Sequence, residues 1–128
     1  MESSNQGSLV LVVDDEPAIR LLCRLNLELE GFRVLEADGI DEASRLLDSE
    51  PIDVLLVDIH LGRNDGRVLL REAGVRQSAP RTALLTGSTG LDEAEREGAD
   101  AVIAKPFTLD VLVSTVRGLA LAVDSSSA

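Results

Sequence analysis

The run Pro51-Ile52-Asp53-Val54-Leu55-Leu56-Val57-Asp58 decides the fold. It has strand length, is rich in Val and Leu, and closes without a break on a carboxylate. Uninterrupted apolar runs of this kind read as strands buried on both faces, as inside a parallel sheet. Asp58 then stands at a carboxyl end, and open parallel α/β sheets bind their ligands outside those ends.

Three further runs end in the same manner. Leu9-Val10-Leu11-Val12-Val13 stops at Asp14-Asp15-Glu16, Ala83-Leu84-Leu85 at Thr86, and Ala101-Val102-Ile103-Ala104 at Lys105-Pro106. With the strands parallel, Asp14, Asp15, Asp58, Thr86 and Lys105 meet on one rim: three acids, a hydroxyl and an amine.

The segments between the runs carry helical periodicity. Pro17 marks a first helical turn, with Asp15 or Glu16 as its cap, and Ala18, Leu22, Leu25 and Leu29 recur at helical spacing up to Gly31, a C′ glycine. A short strand, Arg33 to Ala37, leads into an amphipathic helix carrying Ile40, Ala43, Leu46 and Leu47. Residues Ile59 to Gly66 read as a loop, Arg67 to Val75 as a third helix, and Leu91 to Glu97 as a short fourth. Thr108 caps a last helix with Leu109, Leu112, Val113, Val116 and Ala120 on one face. Strands alternating with helices predict an α/β, doubly wound, five-stranded parallel sheet in a three-layer sandwich. Residues 1–7 read as a disordered polar tail, 8–123 as one domain, and 124–128 as a polar tail or the start of a linker.

Composition narrows the function. The 128 residues suffice for one core, and a formal charge of -11 argues against nucleic acid, whose phosphates need clustered cations. Cys23 is the single cysteine, so there is no intramolecular disulfide and no Cys/His metal site; it reads as a buried helix residue. No stretch reaches the roughly 18 apolar residues of a membrane span, and the first residues lack a signal peptide's pattern, so a cytoplasmic setting is expected. Of the twelve Lys and Arg residues only Lys105 is lysine, a compact point charge at a strand end.

Taken singly, the rim residues have ordinary explanations: an Asp pair as a helix cap, Lys-Pro as a loop, Thr as a strand end. Together they make a site. Clustered carboxylates resist ionising unless a cation offsets them, and Mg2+ takes oxygen ligands of this kind together with phosphate oxygens. A strand-end carboxylate beside Mg2+ can accept a phosphoryl group, and Asp58, on the middle strand, is the best placed.

Val12-Val13-Asp14-Asp15-Glu16-Pro17, Leu55-Leu56-Val57-Asp58, Leu84-Leu85-Thr86-Gly87 and Lys105-Pro106-Phe107 resemble the four signature motifs of the two-component response regulator receiver domain, from about Leu9 to Leu121. The resemblance implies the flavodoxin-like (CheY-like) strand order 2-1-3-4-5. It also implies that Asp58 is the phosphoacceptor for a sensor histidine kinase or histidine phosphotransfer protein, and that Asp14, Asp15 and Asp58 hold Mg2+. Lys105 and Thr86 would contact the phosphoryl oxygens, Pro106 would follow a cis peptide bond, and His60 and Ser88 would tune hydrolysis of the acyl phosphate. Such a chain catalyses only its own phosphorylation and dephosphorylation. It signals through a protein partner, with no nucleic-acid or membrane contact, as a monomer or weak dimer.

Three departures from the family pattern carry expectations. Val102 stands where the family carries Tyr or Phe, removing the aromatic part of the usual relay. The spacing from Thr86 to Gly98 is shorter by about three residues, most of one helical turn, which shortens the fourth helix. Gly62 replaces a proline and should leave its loop freer. The alternatives are a pseudo-receiver that docks without being phosphorylated, and a receiver cut from a longer regulator or hybrid kinase. An aspartyl-nucleophile phosphatase fits poorly, because His60 stands where such enzymes place a second acid.

Overall fold

The computed structural model describes residues 7–87 and 98–127, with side chains to residue 122. The expectations for most of the N-terminal tail, for Ser88 and for the short fourth helix lie outside the described residues. In chain order the elements are β1 (Leu9–Val13), α1 (Pro17–Leu29), β2 (Arg33–Ala37), α2 (Ile40–Ser49), β3 (Val54–Asp58), β4 (His60–Leu61), β5 (Asn64–Asp65), α3 (Arg67–Gly74), β6 (Arg81–Thr86), β7 (Ala101–Ala104) and α4 (Leu109–Ser127).

Five strands make one all-parallel sheet in the order β2-β1-β3-β6-β7. Counting the sheet strands alone, this is the expected 2-1-3-4-5. Every residue of β1 and β3 is buried, and successive side chains alternate between two cores. Leu9, Leu11, Val13, Leu55 and Val57 pack with Ala43, Leu47, Leu69 and Ala73 from α2 and α3. Val10, Val12, Val54 and Leu56 pack with Cys23, Leu27, Leu112 and Val116 from α1 and α4. A strand sandwiched in this way has no polar face, which is why β3 reads as a continuous apolar run.

Helix ends follow local chemistry. At the end of α1, Gly31 has φ 96, its amide donates to the Glu28 carbonyl, and that of Phe32 donates to Leu27, closing a Schellman motif. Thr108 Oγ1 accepts the Val111 amide at 3.2 Å, the expected cap of α4. The start of α1 has one of its two expected caps, but without a side-chain cap bond. Glu16 is the N-cap without a side-chain bond, and Asp14 accepts the Glu16 amide at 2.9 Å, leaving Asp15 free to turn elsewhere.

The packed faces also differ in part. α1 buries Cys23 and Leu27, whereas Leu22, Leu25 and Leu29 are exposed, Leu29 at 81%. This helix is apolar on two sides, and periodicity cannot tell which side the sheet takes. On α4, Leu112, Val116 and Ala120 are buried while Leu109 is exposed. The α4 backbone runs helical to Ser127, through the stretch read as a polar tail. No Gly or Pro interrupts 124–127, so an already nucleated helix propagates at little cost.

β7 is pinned at both ends. The Asp100 amide donates to the Thr82 carbonyl at 3.0 Å, and its carboxylate accepts the Thr82 amide at 2.8 Å. At the far end the Lys105 amide donates to the Thr86 carbonyl at 2.7 Å.

Candidate functional site

Asp14 and Asp15 follow β1, Asp58 ends β3, Thr86 ends β6 and Lys105 follows β7, all at the carboxyl edge of the sheet. The register sets Asp58 beside Leu85 and Thr86 beside Ala104, which brings separate chain segments to one place. Asp14 and Thr86 are fully buried, Asp58 is nearly so, and Asp15 is exposed.

Lys105 closes the group. Its Nζ lies 3.0 Å from Asp14 Oδ2 and 3.2 Å from Asp58 Oδ2. The remaining carboxylate oxygens meet backbone amides: Asp14 Oδ1 accepts from Glu16 at 2.9 Å and Asp58 Oδ1 from His60 at 3.2 Å. Burial pushes the Asp14 carboxyl above its usual range; the Glu16 amide and Lys105 pull it back only in part, and Asp58 adds to the push. Burial works against the Lys105 ammonium, but Asp14 and then Asp58 outweigh it, so its pKa is raised and the amine stays charged.

Asp14, Asp15 and Asp58 each present a carboxylate oxygen, all within 4.8 Å of one another. Three hard oxygen donors, one of them open to solvent, fit a small divalent cation such as Mg2+, which keeps part of its water shell. His60 is exposed, and its amide donates to Asp58 Oδ1. The Lys105–Pro106 peptide is cis.

The segment after Asp58 is more ordered than the sequence suggests. Residues read as a loop form a β-ribbon in which His60 pairs with Asp65 and Leu61 with Asn64, turning through Gly62 at φ 60. The Gly62 amide donates to Asp15 Oδ2 at 3.0 Å. The expectation of a freer loop is therefore corrected: the glycine supplies an N–H that a proline lacks, and that N–H ties the ribbon to the acid pair.

Gly66 is a functional position that sequence reasoning passed over. A Cβ there would stand 2.0 Å from the Asp58 carbonyl oxygen, so only glycine lets the start of α3 lie against the acid's own backbone. Its φ of -58 is ordinary, and nothing local signals the need. Also missed was Arg20, whose guanidinium reaches the Asp14 carbonyl from the first turns of α1.

The chain belongs to the response regulator receiver domain family, which it matches over residues 10–117. It is the receiver domain of a two-component response regulator. Among relatives, it is 39% identical over 119 residues to the transcriptional regulatory protein TrcR of Mycobacterium tuberculosis, covering 86% of this chain and 44% of that one. The chain thus spans less than half the length of such relatives. A CheY-like receiver domain protein of Methanospirillum hungatei superposes with a TM-score of 0.87 at 27% identity, covering 94% of this chain and 99% of that one. The response regulator TrrA of Thermotoga maritima, solved in complex with Mg2+ and BeF, superposes with a TM-score of 0.80 at 29% identity, covering 88% and 98%. Among the described residues no helix is long and apolar enough to cross a membrane.

Proposed function

We propose that Asp58 accepts a phosphoryl group from the phosphohistidine of a sensor kinase or phosphotransfer protein, and that the modified domain signals through a protein partner. The observation that carries this reading is the placement of the Lys105 ammonium between the buried Asp14 and Asp58 carboxylates.

An Asp58 carboxylate oxygen attacks phosphorus, forming an O–P bond as the N–P bond to the donor imidazole breaks; the leaving nitrogen keeps the electron pair and takes a proton from water. Asp58 needs no base, because it reacts as the carboxylate. Asp14, Asp15 and Asp58 would hold Mg2+, which when bound offsets the charge of the acids and of the phosphoryl oxygens. Lys105 keeps its charge in the site and can pair with a phosphoryl oxygen in place of a carboxylate. Thr86, buried at the end of the neighbouring strand, supplies a hydroxyl to the same group.

The product adds roughly two negative charges at the rim, enough to redraw its hydrogen bonds. An apolar recess of 390 Å³ lined by Ile19, Leu22, Pro106 and Phe107 adjoins Lys105 and gives a donor protein a place to rest. In this reading the chain is a cytoplasmic phosphoprotein that acts only on itself, not a turnover enzyme.

Val102, half-buried on β7 where the family has an aromatic ring, favours one other reading, a docking module that is never phosphorylated. Incubation with a small phosphodonor and Mg2+ separates the two. Labelling of the wild type and none of Asp58→Asn is expected; an unlabelled wild type, or equal labelling of the variant, leaves docking alone.

A further inference from the structure

The acid pair sits in a short turn whose orientation has to be fixed by something other than the acids, since these repel one another. Asp14 and Asp15 share a peptide unit, and the plane of that unit sets where both carboxylates point. Its carbonyl oxygen, on Asp14, accepts a bond from Arg20 Nη1 at 2.7 Å. Arg20 is itself held: its Nε donates to Glu36 Oε1 at 3.2 Å, and Arg24 Nη1 grips the other oxygen, Glu36 Oε2, at 2.6 Å. Glu36 lies on β2, paired in register with Val12 two residues before Asp14. The arginine side chain is 17% exposed and that of Glu36 23%, so the pair is substantially shielded from water.

We propose that Arg20, braced by Glu36, is a positioning residue for the cation-binding acids: it fixes the Asp14–Asp15 peptide plane and thereby the affinity of the site for Mg2+. The inference rests on the reading of Asp14, Asp15 and Asp58 as cation ligands. It needs the forked geometry of arginine, because one guanidinium must serve a carboxylate and a carbonyl at once, which a lysine ammonium on its flexible stem does poorly. Partners behind metal ligands typically contribute 10–100-fold to affinity.

The sign of the effect separates this role from simple electrostatics. Arg20 is a cation beside a cation site, so if only its charge mattered, removing it would tighten Mg2+ binding. If it positions the acids, removing it weakens binding. The test is an NMR titration of the full chain with Mg2+, following the Asp15 and Glu16 amides, for wild type, Arg20→Ala, Arg20→Lys and Glu36→Gln. Arg20→Ala is expected to raise the Mg2+ Kd by about 10-fold or more, Arg20→Lys by nearly as much despite its retained charge, and Glu36→Gln in the same direction.

In the metal-free protein, hydrogen exchange of the Glu16 amide should speed up in the same variants, a readout that needs no cation. An unchanged or tightened Kd in Arg20→Ala overturns the proposal. Should that variant not fold, a wild-type Kd in both Arg20→Lys and Glu36→Gln overturns it equally. A wild type that does not bind Mg2+ would instead overturn the parent reading, and the titration shows that result separately.

Discussion

Gly66→Ala tests the packing behind the phosphoacceptor. The added methyl would begin 2.0 Å from the Asp58 carbonyl oxygen, 2.9 Å from its carbon and 3.1 Å from Val57 Cγ2. An ordinary C···O contact is about 3.3 Å, so the start of α3 or the end of β3 must retreat by about 1.3 Å. Both obstacles on Asp58 are backbone, and β3 is held between β1 and β6, so no side chain can swing aside. Overpacking against backbone at such a site costs about 3 kcal/mol. At about 4 °C per kcal/mol for a domain of this size, Tm should fall by about 12 °C. Phosphodonor labelling of Asp58 should fall with it, because the displaced atoms belong to that residue.

The backbone at Gly66 is otherwise well suited to alanine, which would stabilise by about 0.4–1 kcal/mol through the unfolded chain if the contact were harmless. The exposed Gly118, inside α4 with open space around its Cβ position, is the control. There alanine should raise stability by about 1 kcal/mol. Urea and thermal unfolding measure both. A Gly66→Ala protein as stable as wild type, with labelling intact, would refute the reasoning.

Further predictions concern the site itself. Because burial raises the Asp14 carboxyl above the unfolded value of 3.8, the folded state binds that proton more tightly than the unfolded one, and stability declines as pH rises from 3.8 through the folded pKa. Asp14→Asn should therefore raise the Tm of the metal-free protein at pH 7 while weakening Mg2+ binding, with the Tm gap closing toward pH 4; a gap independent of pH counts against this. The Gly62 amide should exchange slowly without Mg2+ and shift or lose protection at saturating Mg2+, as Asp15 is drawn toward the ion; amide exchange at both limits checks it. His60→Asn should change the lifetime of the acyl phosphate, followed by loss of label after the donor is removed, and an unchanged lifetime ends the idea that this residue tunes hydrolysis.

Much of the fold was legible because its signals are local. The apolar runs of β1 and β3, the acid or hydroxyl or amine that follows each strand, Gly31 after α1 and Thr108 before α4 all state their roles within a few residues. What stayed hidden depends on which distant atoms arrive nearby. Leu22, Leu25 and Leu29 share a helical stripe as good as that of Cys23 and Leu27, and only the position of the sheet chooses between them. The β4–β5 ribbon holds four residues in two short strands, too few for alternation to show. Gly66 is required by a carbonyl in another element, and Arg20 reads as one more surface arginine until β2 brings Glu36 beside it.

The two-ended pinning of β7 has an evolutionary corollary. Thr82 and Asp100 dock the strand where it enters, and the Thr86 carbonyl catches it where it leaves, so the amine of Lys105 is delivered by the edge of the sheet, independently of how the chain travels from β6 to β7. That crossing can lose or gain a turn without moving the amine. Chain length there is open to drift while the chemistry at the rim stays fixed.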